Sequence, residues 1–489
     1  IKNYLFLIIF LFFCKNSMKL KSFISIQIKK QSKIKFWLSP IDRSNVLTKH
    51  TFEIIILSNY TIYRLLELSF THMTKVQLIG IPLQICGFDL LCSARTGSGK
   101  TLAFSIPIVE FILTLRWKKE NGLGAIILSP TRELTLQNYY ILRDLLKYHE
   151  INVGILMGGA NRKTETEKIK SGIVIVAATP GRLLDHLKLT KEFKINNLQI
   201  LVLDEADRCM EIGFEEEMIE IFKILPANRQ TIMLSATQTR NMKGLIKTSF
   251  KKKPVFFAVD NKKNFNIPSI KQGFSIINQD EKIGLLIAII KKNKGKKLIV
   301  FFSSCNEVRF FSTLLRSIKL DIFDLHGKQK QYKRTSTFFS FCNSQGSILF
   351  CTDIAARGLD FPAVDWIIQF SPPTDPKEYV HRIGRTGRGI RGKGWSLLLI
   401  LPSEMGLLKF LKKNRFILEE FRFPFKNFSF LNERIKNIIN KNFFLKKMGK
   451  EAFSSFINSY KNHILRNIFD PKKLNIEKIY SCYGLKRYS

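Results

Sequence analysis

The sequence predicts an α/β protein: two tandem parallel-sheet domains followed by a small, mostly helical, basic C-terminal extension. Three observations lead to this prediction. Short apolar runs alternate with longer mixed segments, polar motifs stand where those runs end, and the pattern restarts after a charged break that contains proline. Ligands of open α/β sheets bind at the carboxyl ends of strands, so we expect function to reside in those motifs.

The first domain is predicted to cover residues 51–258, after a basic arm at 1–50 and before a linker at 259–267. Each of its apolar runs is typical of a buried strand, and each is followed directly by a motif. These runs are residues 90–92, 125–128, 173–177, 200–203 and 231–234. The first precedes a glycine-rich loop, which predicts a phosphate site at that strand end.

The second domain is predicted to cover residues 268–405, and the extension residues 406–489. Apolar runs at 298–302, 347–351 and 366–370 again lead into polar motifs. The tail lacks this pattern, but its apolar residues recur at helical spacing within 431–443 and 476–483. We expect a helical extension packed on the second domain. Its lysine-rich faces are equally consistent with RNA contact and with a solvated surface.

The charge balance favours a polyanionic partner. The 489 residues hold 79 Lys and Arg against 39 Asp and Glu, a formal net charge of +40. Nucleic acid is the simplest such partner, while an AT-rich genome that favours Lys, Phe, Ile and Asn codons also explains the excess. Both ends are especially basic: residues 1–51 hold ten basic residues against one acid, and residues 406–489 hold 19 against six.

The cysteines and the N-terminus argue against several other protein classes. Eight scattered cysteines form no C-x-x-C pair with nearby histidines, which disfavours zinc and a disulfide framework and favours reduced thiols. The apolar run at 4–13 is too short to span a bilayer, and we expect no membrane association. Because the chain begins with Ile, we expect Met18 to be the true start and residues 1–17 to lie upstream; a targeting peptide and an apolar extension are the alternatives.

A glycine-rich loop follows the first predicted strand. Glycines allow backbone N–H groups to approach phosphates, a lysine reaches the β- and γ-phosphates, and a threonine hydroxyl helps to bind Mg²⁺. The predicted ATP-binding loop consists of Thr96, Gly97, Ser98, Gly99, Lys100 and Thr101. The general pattern of such loops begins with glycine two residues before Thr96, where this chain has Ala94, and this departure leaves the phosphate donors intact.

An acidic motif follows the strand predicted at 200–203. Asp204 is placed to hold Mg²⁺ through water, and Glu205 is placed to orient and deprotonate the attacking water. An acidic helix cap would explain one of these carboxylates. It would not explain three acids within residues 204–207, close to a nucleotide loop.

The motifs at 204–207, 235–237 and 381–388 together resemble those of DEAD-box RNA helicases of superfamily 2, over residues 52 to 400. The resemblance implies two RecA-like domains that close around ATP–Mg²⁺ and single-stranded RNA and separate a few base pairs. It also implies that Gln77 reads the adenine edge and that Phe52 stacks on the base. Ser69 and Met73 depart from the family pattern, where glycine and proline are usual.

The same resemblance implies further site residues. Ser235, Thr237 and His381 would link the domains, Arg385 and Arg388 would act as arginine fingers, and Asp360 would bind the ribose. The RNA contacts would be made by small or singly charged groups, which suit phosphate and 2′-OH rather than bases. They are Pro130, Thr131, Arg132, Gly158, Gly159, Thr179, Pro180, Gly181, Arg182, Gln331, Arg334 and Thr352.

Several segments resemble one nucleolar branch of the family, the "helicase associated with Set", which acts in ribosomal subunit assembly. They are residues 229–240, 326–331, 338–342, 375–379, 442–444 and 451–460. This resemblance implies pre-rRNA in pre-ribosomal particles as the target, an activating protein partner, and a location in the nucleolus of the nucleus. The alternatives are an ATP-gated RNA clamp and an ATPase that strips proteins from other RNA such as mRNA; a DNA helicase is less favoured.

Overall fold

The chain divides into two compact units, Ile1–Asp260 and Asn261–Ser489. The structure is a computed structural model that describes residues 47–55, 57–94, 97–235, 242–259, 270–353, 361, 364–387, 394–423 and 428–485. Apart from residue 259, the predicted linker lies outside these residues, and so does almost all of the basic arm. The predicted domain boundaries stay predictions, and each unit is described by itself.

The first unit is built on a seven-stranded sheet in which every pairing is parallel. Its strands, in spatial order, are β5 (Val153–Leu156), β6 (Ile175–Ala178), β4 (Ala125–Leu128), β7 (Ile200–Leu203), β8 (Gln230–Ser235), β3 (Leu90–Ser93) and β9 (Val255–Ala258). A separate antiparallel pair precedes it, formed by β1 (Leu47–Thr51) and β2 (His72–Thr74). The central strands are fully buried because helices cover both faces.

The helices of the first unit connect successive strands. They are α1 (Asn59–Glu67), α2 (Lys75–Ile85), α3 (Lys100–Thr114), α4 (Arg132–Leu145), α5 (Arg162–Lys170), α6 (Pro180–Leu189), α7 (Ala206–Ile212), α8 (Glu215–Ile224) and α9 (Met242–Ser249). Helices α3, α4, α6 and α7 each begin within a few residues of a strand's carboxyl end. The predicted motifs therefore lie at one edge of the sheet.

The second unit repeats the arrangement with another seven-stranded sheet, again with only parallel pairings. Its strands, in spatial order, are β12 (Ile322–Leu325), β13 (Ile348–Thr352), β11 (Leu298–Phe302), β14 (Trp366–Gln369), β15 (Gly394–Ile400), β10 (Ile270–Ile276) and β16 (Glu419–Glu420). Its helices are α10 (Gln279–Lys292), α11 (Cys305–Ser317), α12 (Gln331–Asn343), α13 (Pro376–Ile383), α14 (Gly406–Lys413), α15 (Phe428–Lys441), α16 (Phe443–Lys461) and α17 (Ile476–Cys482).

These sheets confirm the predicted α/β fold class, with two tandem parallel-sheet domains and C-terminal helices. The strands predicted from apolar runs lie within one or two residues of those runs, whereas the largely buried β10 and β15 were not predicted. The strands that the apolar runs did not predict include all four sheet edges, β5, β9, β12 and β16. Edge strands are covered less completely, so β5 and β9 alternate between buried and partly or fully exposed positions and form no continuous apolar run.

The C-terminal extension packs on the second unit through aromatic side chains. The ring of Tyr483 lies 5.8 Å from that of Phe310 and 5.7 Å from that of Phe311, on α11. The Tyr483 hydroxyl donates to Glu307 Oε1 at 2.8 Å, and the Tyr460 hydroxyl donates to Glu404 Oε1 at 3.1 Å. Both carboxyls are buried, and burial raises the pKa of each. Each tyrosine hydroxyl therefore supplies a hydrogen bond to a carboxyl group that water does not reach.

We expect the Tyr483→Phe variant to unfold more easily. Tyr483 is completely buried, and its loss leaves the Glu307 carboxyl without one buried partner, at a cost of about 1–3 kcal/mol. Urea denaturation followed by tryptophan fluorescence measures the difference. The control is Tyr332→Phe, at a side chain that is 73% exposed. Equal stability of the two variants would show that this hydrogen bond does not anchor the extension.

Two further features of the described residues concern cysteines and membranes. Cys86, Cys92, Cys209, Cys305, Cys342, Cys351 and Cys482 are all free thiols. Among the helices that the structure describes, none has the length and apolar character needed to cross a bilayer.

Candidate ATP and RNA sites

The glycine-rich loop joins β3 to the N-terminus of α3. Gly97 and Gly99 have φ angles of 75° and 87°, in the left-handed region that favours glycine. A Cβ at Gly99 would lie 2.7 Å from Gln77 Nε2, so this position also has no room for a side chain. The buried Lys100 folds back, and its Nζ donates to the Ala94 carbonyl at 3.2 Å. The first N–H groups of a helix have no partner within that helix, so the start of this 15-residue helix and the lysine together suit a bound phosphate.

Gln77 connects this loop to the preceding helix. Its Oε1 accepts from the Thr74 backbone N–H at 2.8 Å, and its Nε2 donates to the Gly99 carbonyl at 3.1 Å. The oxygen and the nitrogen of the glutamine amide each have two hydrogen-bonding positions, so beyond these two described bonds one acceptor and one donor position remain for an adenine edge. The structure thus places Gln77 beside the phosphate loop, and its contact with adenine stays a prediction.

Phe52 lies in the hydrophobic core of the first unit. Its side chain is 3% exposed and belongs to the apolar cluster that includes Met73 and Ile81. Stacking on a base requires an accessible ring face, so this assignment stays a prediction that needs a local opening.

The acidic motif lies on the same sheet edge as the phosphate loop. Asp204 directly follows β7, and its Oδ2 accepts from the Asn138 amide nitrogen at 3.1 Å. Burial raises the pKa of Asp204, while the charge of Lys100 and the Asn138 hydrogen bond act in the opposite direction. Glu205 adopts φ 49° and ψ 51°, an unusual backbone for a residue with a side chain and one often found at functional sites.

Ser235 completes this part of the site. It is the last residue of β8, pairs with Ser93 of β3, and its carbonyl accepts from the Ala94 N–H at 3.0 Å. Its hydroxyl lies 3.5 Å from the Met242 sulfur. The structure therefore brings Ser235 to the first residue of the phosphate loop. Thr96, Thr237, Asp360 and Arg388 lie outside the described residues.

Two predicted RNA-binding segments of the first unit meet at Arg132. Arg132 begins α4, and its guanidinium lies against the turn at Gly158 and Gly159, where a Cβ on Gly159 would be 2.6 Å from Nη1. Gly159 has a φ of 82°, so the backbone conformation of the turn favours glycine, whereas the guanidinium lies at the end of a flexible side chain that can move aside. Thr131 caps α4 by accepting from the Leu134 N–H at 3.4 Å. Exposed backbone beside one arginine suits contact with a sugar–phosphate chain.

The third predicted segment, at residues 179–182, is tied to this turn by a partly buried ion-pair network. Arg182 Nε donates to Glu165 Oε2 at 2.6 Å, and Arg182 Nη2 donates to the Ala160 carbonyl at 3.0 Å. Glu165 also accepts from the Met157 N–H at 3.0 Å and lies 3.0 Å from His186 Nε2. Arg182 therefore has a structural partner within the unit. Glu165 and His186 hold the predicted RNA-binding segment in place, a role that the sequence motifs did not reveal.

In the second unit, the motif at 381–388 begins on α13. Arg382, which the sequence analysis passed over, makes a bidentate pair with Asp353, with both N–O distances at 2.6 Å. Burial alone would lower the pKa of Arg382, but Asp353 outweighs it and raises that pKa. His381 is partly buried. Arg385 is 2% exposed, and its Nε donates to the His381 carbonyl at 3.1 Å. Its role as an arginine finger stays a prediction that requires the guanidinium to become accessible.

Three predicted RNA-binding residues lie at one edge of the second sheet. Gln331 and Arg334 are in the first turn of α12 and are partly buried. Thr352 ends β13; it is 6% exposed, and its hydroxyl has no hydrogen-bond partner among the described residues. A buried hydroxyl without a partner calls for a ligand or an ordered water, which fits the predicted contact with RNA.

Comparisons with known proteins agree with these two units and their motifs. Residues 74–245 match the model of the DEAD/DEAH box helicase family, and residues 281–389 match the helicase conserved C-terminal domain. Over 429 residues the chain is 48% identical to the ATP-dependent RNA helicase HAS1 of Pyricularia oryzae, which covers 88% of this chain and 73% of that protein. The chain belongs to the DEAD-box RNA helicase family. This helicase is thus an RNA-dependent ATPase, and ATP and RNA are its ligands.

Further matches define the relationship more closely. The helicase is 48% identical over 427 residues to human ATP-dependent RNA helicase DDX18, across 87% of this chain and 64% of that protein. Residues 442–488 match the C-terminal extension of SPB4-like ATP-dependent rRNA helicases. Among solved structures, Mss116p bound to ssRNA and AMP-PNP aligns with a TM-score of 0.79 and 27% identity, over 91% of each chain. These matches place the helicase in the HAS1 branch, as the sequence predicted.

The donors at the ATP site of the helicase fit Mg²⁺. The Thr101 hydroxyl lies in the first turn of α3, and the Asp204 carboxylate lies on the same sheet edge. Both are hard oxygen ligands, and Mg²⁺ is typically held by one or two carboxylates together with substrate phosphates and waters. Among the described residues, no group of three or more His, Cys, Asp or Glu could hold a metal without such phosphates.

We expect Glu165→Gln to destabilise the first unit of the helicase by about 1.5–3 kcal/mol at neutral pH, because it removes the nearer carboxylate of the partly buried Arg182 and leaves Asp185, 3.4 Å from Arg182 Nη1, as the remaining charge partner. Burial raises the pKa of Glu165, but His186, the Met157 N–H and Arg182 outweigh it and lower that pKa below its ordinary value of 4.5. A lowered pKa adds stability that is present above pH 4.5 and is lost as the pH falls through the native value.

Thermal unfolding of wild type and of Glu165→Gln between pH 3 and 7 measures this effect. The difference between their unfolding temperatures should narrow as the pH falls. The control, Glu167→Gln at an exposed position on the same helix, should unfold at the wild-type temperature throughout. A difference that stays constant with pH would show that the Glu165 charge does not stabilise the turn.

Proposed function

We propose that this helicase locally unwinds or remodels pre-rRNA duplexes in pre-ribosomal particles during ribosomal subunit assembly, in the nucleolus of the nucleus. The observation that supports this most directly is the match of residues 442–488 to the extension of an SPB4-like rRNA helicase. The extension shares the hydrophobic core of the second unit. The resemblance to the "helicase associated with Set" branch supports the same setting, and an activating protein partner is part of the proposal.

The first unit carries the ATP chemistry in this proposal. Backbone N–H groups of residues 97–100 and the Lys100 ammonium bind the phosphates, and the Asp204 carboxylate and Thr101 hydroxyl hold Mg²⁺. When bound, Mg²⁺ supplies positive charge that neutralises the phosphate oxygens. Glu205 orients the attacking water and accepts its proton. The backbone of Glu205 turns directly after the buried Asp204, so the two carboxylates can take separate roles.

Other residues hold the base, the ribose and the transferring phosphoryl group. Gln77 contacts adenine, Phe52 stacks on it, and Asp360 binds the ribose. Arg385 and Arg388 stabilise charge on the transferring phosphoryl group. Ser235, Thr237 and His381 couple nucleotide state to RNA binding. Each of these roles is carried by a residue whose type matches the family motif.

RNA is proposed to run along the strand ends that carry the predicted contacts. In the first unit these are the segments at 130–132, 158–159 and 179–182, which the Arg132 and Glu165 contacts hold together. Their groups address phosphate and 2′-OH, so the core selects RNA over DNA with little preference for sequence. Target choice therefore depends on the basic arm, the extension or the partner.

Crosslinking of the full-length helicase to RNA in cells, followed by sequencing, tests the target. We expect reads concentrated in pre-rRNA, around one or a few duplexes. Reads spread over mRNA would be compatible with helicase activity but would contradict the proposed role in ribosomal subunit assembly. A Lys100→Ala variant serves as a control, because sites that require ATP should lose their reads in that variant.

A further inference from the structure

Asn138 touches the predicted metal carboxylate from a helix that no motif assigns to the ATP site. It lies within α4 and is completely buried. Its amide nitrogen donates to Asp204 Oδ2 at 3.1 Å and to the Ser129 hydroxyl at 2.9 Å. These two bonds use both hydrogens of the amide.

The two partners of Asn138 follow neighbouring strands. Leu128 of β4 pairs with Leu203 of β7, and the Asp204 N–H donates to the Leu128 carbonyl at 2.9 Å. The backbones after both strands are therefore already in register. Asn138 adds the side-chain bridge that fixes the direction of the Asp204 carboxylate relative to this frame.

The orientation of the Asn138 amide follows from its partner. A carboxylate oxygen is an acceptor, so the amide must present nitrogen rather than oxygen to Asp204. The Asn138 Oδ1 atom is buried and has no hydrogen-bond partner among the described residues. Burying an acceptor without a partner costs free energy, which a water molecule or a ligand would recover. The Asn138 side chain therefore does two things beside the proposed metal site. Its nitrogen holds the Asp204 carboxylate, and its oxygen is an acceptor whose partner is not among the described residues.

We propose that Asn138 is a positioning residue, which holds the Asp204 carboxylate in the direction that binds hydrated Mg²⁺ with nucleotide. The inference rests on the proposed role of Asp204. Groups that orient a metal ligand typically change metal affinity by about 10–100-fold when removed. Asn138 has no direct contact with nucleotide in this scheme, so binding of nucleotide without metal should not depend on it.

The test compares binding of fluorescent ADP to the full-length chain in Mg²⁺ and in EDTA. Wild type should bind more tightly with Mg²⁺. Leucine is similar in size to asparagine but makes no side-chain hydrogen bonds. The affinity of Asn138→Leu for ADP in Mg²⁺ should therefore fall about 10–100-fold, while its affinity in EDTA stays unchanged. The exposed Asn197→Leu is the matched control and should behave as wild type. Asn138→Ser provides the same comparison with a smaller polar residue if the leucine variant folds poorly.

The outcomes separate this inference from the proposed function. Equal losses in Mg²⁺ and in EDTA would mean that Asn138 only supports the fold, and the inference would be wrong. The inference would also be wrong if Mg²⁺ raised the ADP affinity of Asn138→Leu by the same factor as that of wild type. Asp204→Asn is measured alongside. If Mg²⁺ raises the ADP affinity of that variant as much as that of wild type, Asp204 does not bind the metal, and the inference about Asn138 is wrong as well.

Discussion

Glu205→Gln should bind ATP as tightly as wild type and hydrolyse it about 10²–10⁴-fold more slowly. The amide keeps the shape of the side chain but cannot accept a proton from the attacking water. Glutamine is close to glutamate in size, so we expect the fold to be retained, including the turn of the backbone at Glu205 with φ 49°. Because hydrolysis releases RNA in the proposed cycle, the variant should also hold RNA for longer in the presence of ATP.

Steady-state ATPase assays with RNA, nucleotide binding and RNA dissociation rates measure these three effects. Glu216→Gln, an exposed glutamate on α8, is the matched control and should equal wild type in all three. Normal turnover in Glu205→Gln would remove Glu205 as the base. Slow turnover together with fast RNA release would keep the base and contradict the link between hydrolysis and release.

Lys100→Ala should weaken ATP binding by about 10–100-fold, and RNA-stimulated hydrolysis should fall by at least the same factor. The lysine is buried in the loop, and charge-assisted hydrogen bonds to phosphate are worth roughly 1.5–3 kcal/mol. Its loss also removes the positive charge that favours the ionised form of Asp204, which should add to the defect in hydrolysis.

Calorimetric titration with ATP and an ATPase assay check this expectation. Lys168→Ala removes an exposed lysine from α5 and should leave both quantities unchanged, which excludes a general effect of net charge. Full ATP affinity and full activity in Lys100→Ala would overturn the assignment of the phosphate loop.

The apolar runs and motifs determined most of the architecture. A parallel strand that is buried on both faces must be continuously apolar, so 125–128 and 200–203 were visible as strands, and Asp204 could be placed at the end of the second. The edge strands β5 and β9 were not predicted because they are partly exposed, and β16 was not predicted because it has only two residues. The edge strand β12 is mostly buried, but Asp324 interrupts its apolar run.

Contacts between residues far apart in the chain were beyond the reach of the motifs. Asn138 lies 66 positions from Asp204, and Tyr483 lies 176 positions from Glu307. Neither pair has a local pattern, since a buried polar residue on a helix resembles any other polar residue until its partner is known. Glu165 likewise sits in a highly charged helix, and only packing shows that it holds Arg182 and the Met157 N–H.

The fold class, the family and the residue types available for ATP and RNA follow from the amino-acid sequence alone, because each depends on local spacing and on chemistry carried by a few side chains. Which polar groups are buried, and which partners satisfy them, became apparent only in the folded chain. A buried carboxylate such as Asp204 takes its direction and its pKa from groups that folding brings to it, here Asn138 and Lys100.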